Sequence, residues 1–443
     1  MRSKETLLFA VLCQRNYALL WNGQFISMIG DWVLMSALPF YVYDRTGQAL
    51  ASSGVFIALI LPNLLFGSLA GVFVDRWDRR RTMMVADLLR AAILLPLLLV
   101  RSRGEIWIVF AVAFAEASVS QFFGPAKSAI LPHLVRSEDL GAANTLSTVN
   151  ENLARLLGPS LGGLLIATRG LSSVGALDSV SYLFSCAMIW LIVVPKRREP
   201  DSPSAAAGTE PLPEPVVPPA NAMDRQEQPS LRPSMTGLRR VLNELQAGFD
   251  IVLKDRLLTL IFVVSGLLML SQGVLNALLV PFVKQVLHAG GKQLGWIMSV
   301  QGVGGLIGGI LIGKWIRLIS SQRLISIGAV MVSVLLFFMV NVPILPLVLV
   351  LVGIAGIPSV AYAVSEQTLL QQNVADEFRG RVFGTFGTTQ SLLMLLGMGG
   401  GGLLTTWFSI VSILNLSCAL FLLGGLIALQ MPHHYPSSSE HRK

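Results

Sequence analysis

The sequence is poor in charge. Only 13% of its 443 residues are Asp, Glu, Lys or Arg, about half the usual share of a soluble domain. By contrast 53% are hydrophobic and the mean hydropathy is +0.66, which excludes an ordinary soluble enzyme. Cysteine is scarce as well. Cys13, Cys186 and Cys418 lie far apart in or beside apolar segments, so they form neither a disulfide framework nor a thiolate metal site. The histidines (His133, His288, His433, His434 and His441) fall in loops or the tail and make no metal cluster. A nucleotide loop is also missing. GVGGLIGGILIG, from Gly302 to Gly313, lies in an apolar run with no preceding strand and no Lys-Ser/Thr pair. No nucleophile–base or metal-ligand set sits at a common depth, so an enzyme is not expected, and neither is a cofactor.

What the sequence does have is apolar length. A helix needs roughly 20 such residues to cross about 30 Å of hydrocarbon. Twelve runs qualify, near 17–43, 50–74, 82–100, 105–124, 144–167, 173–194, 257–283, 293–313, 323–342, 344–367, 382–404 and 407–430. Backbone groups cannot stay unpaired in lipid, so each is predicted to be a helix. Between the sixth and seventh runs, 195–235 is polar and rich in Pro, Ala, Ser and Glu. It cannot bury enough apolar surface to order itself and is predicted to be a flexible linker. MTGLRRVLNELQAGFDIVLKDRLL then predicts an interfacial amphipathic helix. The expected organisation is a six-helix bundle at 1–194, the linker at 195–235, the lead-in helix and second bundle at 236–430, and a tail at 431–443. The basic N-terminus is interrupted by Arg15 and Asn16 and reads as an approach to the first helix, not a cleaved signal.

The net charge of +8 is unevenly placed. Arg76, Arg79, Arg80 and Arg81 follow the second run, Lys127 and Arg136 the fourth, and Lys314, Arg317, Arg323, Arg379 and Arg381 lie on the same side. The opposite loops hold Arg45, Arg101, Arg103, Arg169, Lys284 and Lys292. This asymmetry assigns both termini and the linker to the cytoplasm, and explains the basicity without nucleic acid.

The two halves also echo each other. The segment from Ile130 aligns with that from Thr368 at an offset of 238 residues, pairing Glu138 with Asp376, and Gly162 and Gly163 with Gly400 and Gly401. Such a repeat is expected where two bundles surround a central transport site.

These residues resemble the major facilitator superfamily, and within it the group of macrolide efflux pumps and the enterobactin exporter. Gly71-x-x-x-Asp75-Arg76-x-x-Arg79-Arg80 is similar to the family's loop between helices two and three, with Asp78 where glycine is usual. Ala86-Asp87-Leu88-Leu89-Arg90 resembles the subgroup's third helix, and Pro125-Ala126-Lys127 through Asn144 its four–five junction. Gly158-Pro159-x-x-Gly162-Gly163 is similar to the exporters' motif on helix five. The second-half loop, Gly309-x-x-x-Gly313-Lys314, lacks the aspartate. The resemblance implies an all-alpha polytopic membrane protein of the major facilitator fold, with twelve transmembrane helices as six-plus-six pseudo-symmetric bundles. It further implies gating by Gly71, Asp75, Arg76, Arg79, Arg80, Asp87, Arg90, Gly158, Pro159, Gly162 and Gly163. Asp75 is expected to latch onto the start of helix eleven, near Gly380 to Phe383. The arginines are expected to reach Glu138, Asp139, Asp376 or Glu377.

Ionisable residues at span depth are costly and therefore the best functional candidates. Asp31 and Glu116 lie mid-helix and are candidates for proton coupling or for contact with a cationic substrate, against the alternative of a structural network. Glu151 and Arg155 are four residues apart and share a face, which allows a pair. Asp178 is expected nearer the outer end of the sixth helix. Phe25, Trp32, Phe40, Phe56, Phe122 and Phe123 are candidates to line an apolar cavity.

The function expected is secondary transport: proton-coupled export of a hydrophobic or amphiphilic small molecule, of the macrolide or multidrug type, from the bacterial inner membrane. A siderophore or lysophospholipid exporter is the near alternative, although an anionic siderophore calls for basic residues at depth and only Arg155 is found. A membrane protein that transports nothing, structural or sensory, is the alternative of another class. The expected partners are the small-molecule substrate, membrane lipids and protons, without nucleic acid. One bundle pair forms its own cavity, which favours a monomer.

Overall fold

The computed structural model describes residues 10–74, 76–193, 246, 248–315, 318–375 and 378–431. The expected linker and most of the tail lie outside them. Twelve long helices run through the described residues. They are α1 (Arg15–Thr46), α2 (Ala49–Val74), α3 (Arg79–Leu94, prolonged by a 3-10 turn Leu95–Leu99), α4 (Ile106–Leu134), α5 (Leu140–Thr168) and α6 (Leu171–Trp190). The second half has α7 (Arg256–Pro281, ending in a π turn Phe282–Val286), α8 (Gly291–Trp315), α9 (Ser321–Asn341), α10 (Leu345–Asn373), α11 (Arg379–Leu404) and α12 (Ile410–Ala428). Of the lead-in helix, 248–254 is helical and described.

Polar residues set the helix ends. The Asp78 carboxylate accepts the Arg81 N–H at 2.7 Å and so starts α3. Asp255 accepts from the N–H groups of Leu257 and Leu258 and starts α7. Gly47, at φ 71°, stops α1 by donating its N–H to the Tyr43 carbonyl.

Ten of the twelve helices are long and apolar enough to cross a membrane. The two that fall short in apolarity are α5 and α11. Asn150, Glu151 and Arg155 dilute α5, and Gly384, Thr385, Gly387 and Thr388 dilute α11. Both helices pack across to the opposite half, where small and polar side chains replace lipid-facing ones.

Each half builds its own apolar core, α1–α6 around residues such as Leu34, Leu38, Leu94 and Val109, and α7–α12 around Leu258, Ile261, Ile325 and Phe421. A further core joins the halves at the end remote from the Arg76–Asp78 loop, where Phe40, Tyr43 and Phe56 pack with Leu278, Phe282 and Met398. Two helix pairs close that far end. A Cβ on Gly163 of α5 would strike the backbone of Gly291 on α8, and one on Gly402 of α11 would strike Leu50 and Ser53 of α2. The seam continues inward through Ser160, whose hydroxyl donates to Ser299 at 2.7 Å, while Ser299 donates to the Leu156 carbonyl at 2.5 Å. Towards the loop end the same helices lose one another. Gly141 of α5, Gly309 and Gly313 of α8, and Gly380, Gly384 and Gly387 of α11 have nothing within 4 Å of where a Cβ would stand. The bundle pair is closed at the far end and parted at the loop end.

Candidate functional site

Helical spacing gathers one charged cluster inside the first bundle. Asp87 and Arg90 are three apart on α3, Glu116 and Ser120 four apart on α4, and Asp178, Ser181, Tyr182 and Ser185 recur at three and four on α6. Asp31 enters from α1. Asp87, Arg90, Glu116 and Asp178 are buried and Asp31 is half-buried. Gly30, beside Asp31, leaves the space that the Asp178 carboxylate fills, since any Cβ there would collide with it.

Arg90 anchors the group. Its guanidinium pairs with Asp87, donates to Ser120 Oγ at 3.1 Å, and lies over the rings of Tyr182 (4.2 Å) and Phe123 (4.6 Å). Ser120 donates to Glu116 Oε1 at 3.0 Å. Ser181 donates to Asp178 Oδ1 at 3.0 Å. The Tyr182 hydroxyl reaches two carboxyl groups at once, Asp31 Oδ1 and Glu116 Oε1, the latter at 2.8 Å. Asp87 Oδ2, Asp178 Oδ2 and Arg90 Nε have no hydrogen-bond partner. Four carboxyl groups thus share one guanidinium in a buried space. Asp31 and Glu116, the two mid-helix candidates, are brought together through Tyr182. Asp87 and Arg90, expected to act in gating, belong to the same cluster, and Asp178 joins it.

Other expectations change. Among the described residues no ion pair joins Glu151 to Arg155. The Arg155 guanidinium lies 5.0 Å from the Trp32 ring centroid on α1, a cation–π contact, and the charge near Glu151 is Lys127 of α4. Among the described residues Arg79 and Arg80 bind carbonyls within their own bundle and reach neither Glu138 nor Asp139. Arg79 donates to the Ala129 carbonyl at 3.1 Å and meets His133 Nε2 at 2.5 Å. Arg80 donates to the Ile189 carbonyl at 3.1 Å and to that of Trp190, satisfying the exposed end of α6. Asp139 accepts instead from Gln14 at 2.9 Å, and Glu138 stands 3.6 Å from Arg136. Gly71 lies in the last turn of α2, whereas Asp75, Asp376 and Glu377 lie outside the described residues. The start of α11 at Gly380 faces open space in this conformation.

The helix-five motif divides by function of contact. Gly158 and Gly162 press α5 onto Trp32, Val33 and Ser36 of α1, inside one bundle. Pro159 and Gly163 meet Gly295 and Gly291 of α8, across the bundles. Of the six aromatics expected to line a cavity, Phe25 stacks on Trp21 (5.5 Å), Phe40 lies under Lys284 (4.7 Å), and Phe56 is in the core between the bundles. Phe122 stacks on Trp77, Phe123 and Trp32 receive arginines.

The second half lacks the cluster. Gly158 against Ile29 and Trp32 of α1 is matched by Gly397 against Leu270 and Gly273 of α7. Gly162 against Val33 and Ser36 is matched by Gly401 against Val274 and Ala277. These contacts move the repeat one residue from the register expected at the glycines, so that Gly401 and Gly402, not Gly400 and Gly401, answer Gly162 and Gly163. They place Gln272 opposite Asp31. Asp178, facing Gly30, corresponds to Ser417, which bonds Ser271 at 2.7 Å. Tyr182 then corresponds to Phe421. Ser179 bonded to the Ala91 carbonyl mirrors the contact of Cys418 with Ser333, which sets Val332 opposite Arg90 and Ala329 opposite Asp87. The equal-length α4 and α10 set Ala355 opposite Glu116. Where the first half has ionisable groups, the second has a small cavity of about 70 Å³ lined by Gln272, Val332, Ala355 and neighbours including Asn276, Gln301 and Ser359.

One further carboxylate was not legible as a candidate. Glu366 of α10 is buried, its Oε1 has no partner, and among the described residues it has no ion pair. Ser265 stands beside it and accepts from Gln390 Nε2 at 2.7 Å. Its counterpart in the first half is Lys127.

Residues 6–207 match the family described as transmembrane secretion effector, and residues 261–443 match the Major Facilitator Superfamily. The chain is 26% identical over 384 residues to macrolide efflux protein A of Streptococcus pyogenes, covering 86% of each. It is 27% identical over 412 residues to the multidrug efflux pump Tap of Mycolicibacterium fortuitum, covering 91% of this chain and 92% of that one. It is 25% identical over 435 residues to the uncharacterized MFS-type transporter YfiS of Bacillus subtilis (strain 168), covering 94% and 93%. Among solved structures, a bacterial homologue of the iron transporter ferroportin in an inward-facing state superposes with a TM-score of 0.71 at 14% identity, covering 95% of this chain and 99% of that one. A mutant of the nucleoside transporter NupG gives 0.69 at 13%, covering 94% and 100%. The fold is that of an all-alpha polytopic membrane protein built from two pseudo-symmetric helix bundles, the fold these transporters share. The chain is similar over most of its length to transporters of the major facilitator superfamily type, among them multidrug and macrolide efflux pumps.

Proposed function

We propose that the protein exports hydrophobic or amphiphilic small molecules, of the macrolide or multidrug type, in exchange for protons. All twelve long helices then cross the membrane as six plus six, with both termini in the cytoplasm. The conformation described is the inward-open one. The observation that carries the coupling is Tyr182 between Asp31 and Glu116. A phenol donates one hydrogen bond. Both contacts are hydrogen bonds only when one carboxyl group holds a proton and donates to the phenol oxygen, so the geometry favours a proton shared by Asp31 and Glu116. Full ionisation would set four carboxylates against Arg90 alone in an apolar bundle, which is strongly unfavourable. The number of protons held therefore depends on which side water reaches the cluster from, and alternating access changes that side.

Gly163 and Pro159 act at the far-end seam. Gly71, Asp75, Arg76, Arg79 and Arg80 act at the loop end, where the opposite closure must form, and Gly158 and Gly162 hold α5 to α1 during the swing. Arg90 and Asp87 position the proton-bearing pair. The relation to named efflux pumps supports an amphiphilic cargo.

The test is flux from proteoliposomes under an imposed pH gradient, with a macrolide or a lipophilic dye as cargo. Asp31→Asn and Glu116→Gln are each expected to reduce gradient-driven flux at least tenfold while cargo exchange without a gradient persists. Unchanged gradient dependence in both variants would remove the cluster as the coupling site.

A further inference from the structure

Four arginines follow α2, and in this conformation two of them have side-chain partners among the described residues. Arg79 and Arg80 turn inward to carbonyls of α4 and α6. Among the described residues, the side chains of Arg76 and Arg81 have no hydrogen bond or ion pair, and both are exposed. The one described carboxylate between them, Asp78, already accepts the Arg81 backbone N–H as the cap of α3. Both arginines stand at the mouth of a groove of about 600 Å³ on the outside of the first bundle. All its lining residues come from the α2–α3 turn, α3 and α4, so it is separate from the cleft between the bundles.

The groove wall is apolar. Trp77 stacks on Phe122 at 6.2 Å and leans on Phe73 at 5.7 Å, and Val85 and Leu89 extend the wall along α3. Trp77 is 51% exposed, Val85 54% and Leu89 48%. A tryptophan beside arginines at the end of an apolar surface marks headgroup depth. Any span surface meets acyl chains. This one differs in being concave and in ending on two exposed guanidinium groups that outnumber the single described carboxylate, Asp78, in its lining.

We propose that the groove is a binding site for an anionic phospholipid of the cytoplasmic leaflet, with the phosphate held between Arg76 and Arg81 and an acyl chain lying along Trp77, Val85 and Leu89. Charge complementarity selects this occupant. Neutral lipids and apolar cargo would gain the wall but leave both guanidinium groups without an anion, whereas free phosphate would gain the arginines but not the wall. The inner leaflet is the anionic one, and basic pockets between helices on that side suit acidic headgroups. A lipid seated here spans the α2–α3 turn and the first turns of α3, the helix that carries Asp87 and Arg90 deeper in the bundle.

The experiment uses the purified full-length protein and native mass spectrometry with equimolar dioleoylphosphatidylglycerol and dioleoylphosphatidylcholine. Retention of the anionic lipid is expected to exceed that of the zwitterionic one at least tenfold. Each arginine contributes about fivefold, so Arg76→Gln with Arg81→Gln should bring the ratio close to one, while lysine at both positions keeps it. Leu89→Trp, which fills the groove, should lower retention of the anionic lipid with both arginines present. Brominated phosphatidylglycerol supplies a second readout on the unaltered protein: it should quench tryptophan emission, and quench it less in Trp77→Phe. Equal retention of the two lipids by the unaltered protein would overturn the site. So would a preference that survives the double glutamine change, or displacement of the lipid by cargo at the cargo's transport affinity. Loss of retention to added inorganic phosphate alone would show an anion site without a lipid wall and would overturn it equally.

Discussion

Lys284 of α7 stands 2.5 Å from Asp44 of α1, joining the two halves of the molecule across their closed end. The same ammonium lies over the Phe40 ring, and the next residue, Gln285, donates to the Tyr43 hydroxyl at 2.5 Å. Both partners of the ion pair are partly exposed, so solvent screens it and its share of fold stability is at most about 1 kcal/mol. Because it bridges the two halves, it favours the far-end-closed state over one that parts them.

Asp44→Asn is accordingly expected to shift the equilibrium towards opening at this end by roughly fivefold, with little change in thermal stability. A cysteine placed at Ser299, buried in the seam between the bundles, reports the shift as faster labelling from the far side. A charge-swapped pair, Asp44→Lys with Lys284→Asp, should restore the original rate. Unchanged labelling in Asp44→Asn would mean that the pair takes no part in closure.

Tyr182→Phe removes the hydroxyl and keeps the ring under Arg90. A hydrogen bond to a charged group contributes about 1.5–3 kcal/mol, so the pH midpoint of gradient-driven flux is expected to move by about one unit or more. Protein abundance and melting should change little. A midpoint that stays in place would separate the phenol from proton binding.

Gly162 and Gly163 are adjacent but should fail differently. Alanine at Gly162 forces a Cβ against Ser36 and the Val33 carbonyl within the first bundle and is expected to destabilise the fold by about 1–3 kcal/mol. Leucine at Gly163 meets Gly291 across the bundles, so it should leave the first bundle intact but bias the protein away from the far-end-closed state. Thermal melting and far-side cysteine labelling read the two effects separately. Similar melting losses in both variants would contradict the division.

Glu366→Gln preserves shape and removes a buried ionisable group that, among the described residues, has no ion-pair partner. Unless the carboxylate serves transport, replacing it is neutral or stabilising. The variant is expected to melt about 2–4 °C higher while its flux becomes less sensitive to pH. A higher melting point with an unaltered pH profile would assign Glu366 no role in the proton cycle.

Much of this molecule was legible in its sequence because the membrane imposes simple rules. Span length foretold twelve helices, and the rarity of charge at depth singled out Asp31 and Glu116. Tyr182 was not legible, since one tyrosine in an apolar helix attracts no notice until its hydroxyl is seen between two carboxyl groups. Glu366 was hidden by its position at the edge of the expected tenth span, because α10 continues to Asn373. The repeat was read one residue off at the glycines because consecutive glycines offer no unique register. Only their neighbours, Val33 against Gly162 and Val274 against Gly401, fix it. Spacing allowed a Glu151–Arg155 pair, but it could not foresee that Trp32 offers the guanidinium a face on the neighbouring helix.

The neutral cavity around Gln272 and Ala355, at the place in the second half that answers the charged cluster of the first, has a consequence for how such proteins diversify. At the positions that answer the cluster the second bundle holds no titratable group, and Glu366 lies elsewhere on α10, so on the proposed coupling this part of its lining can vary without stalling the motor. Hybrids should reveal this. Joined to the second half of a relative with a different cargo, the first half of this chain should bring the main pH midpoint to the donor's cargo range, whereas the reciprocal hybrid should keep only the smaller contribution of Glu366.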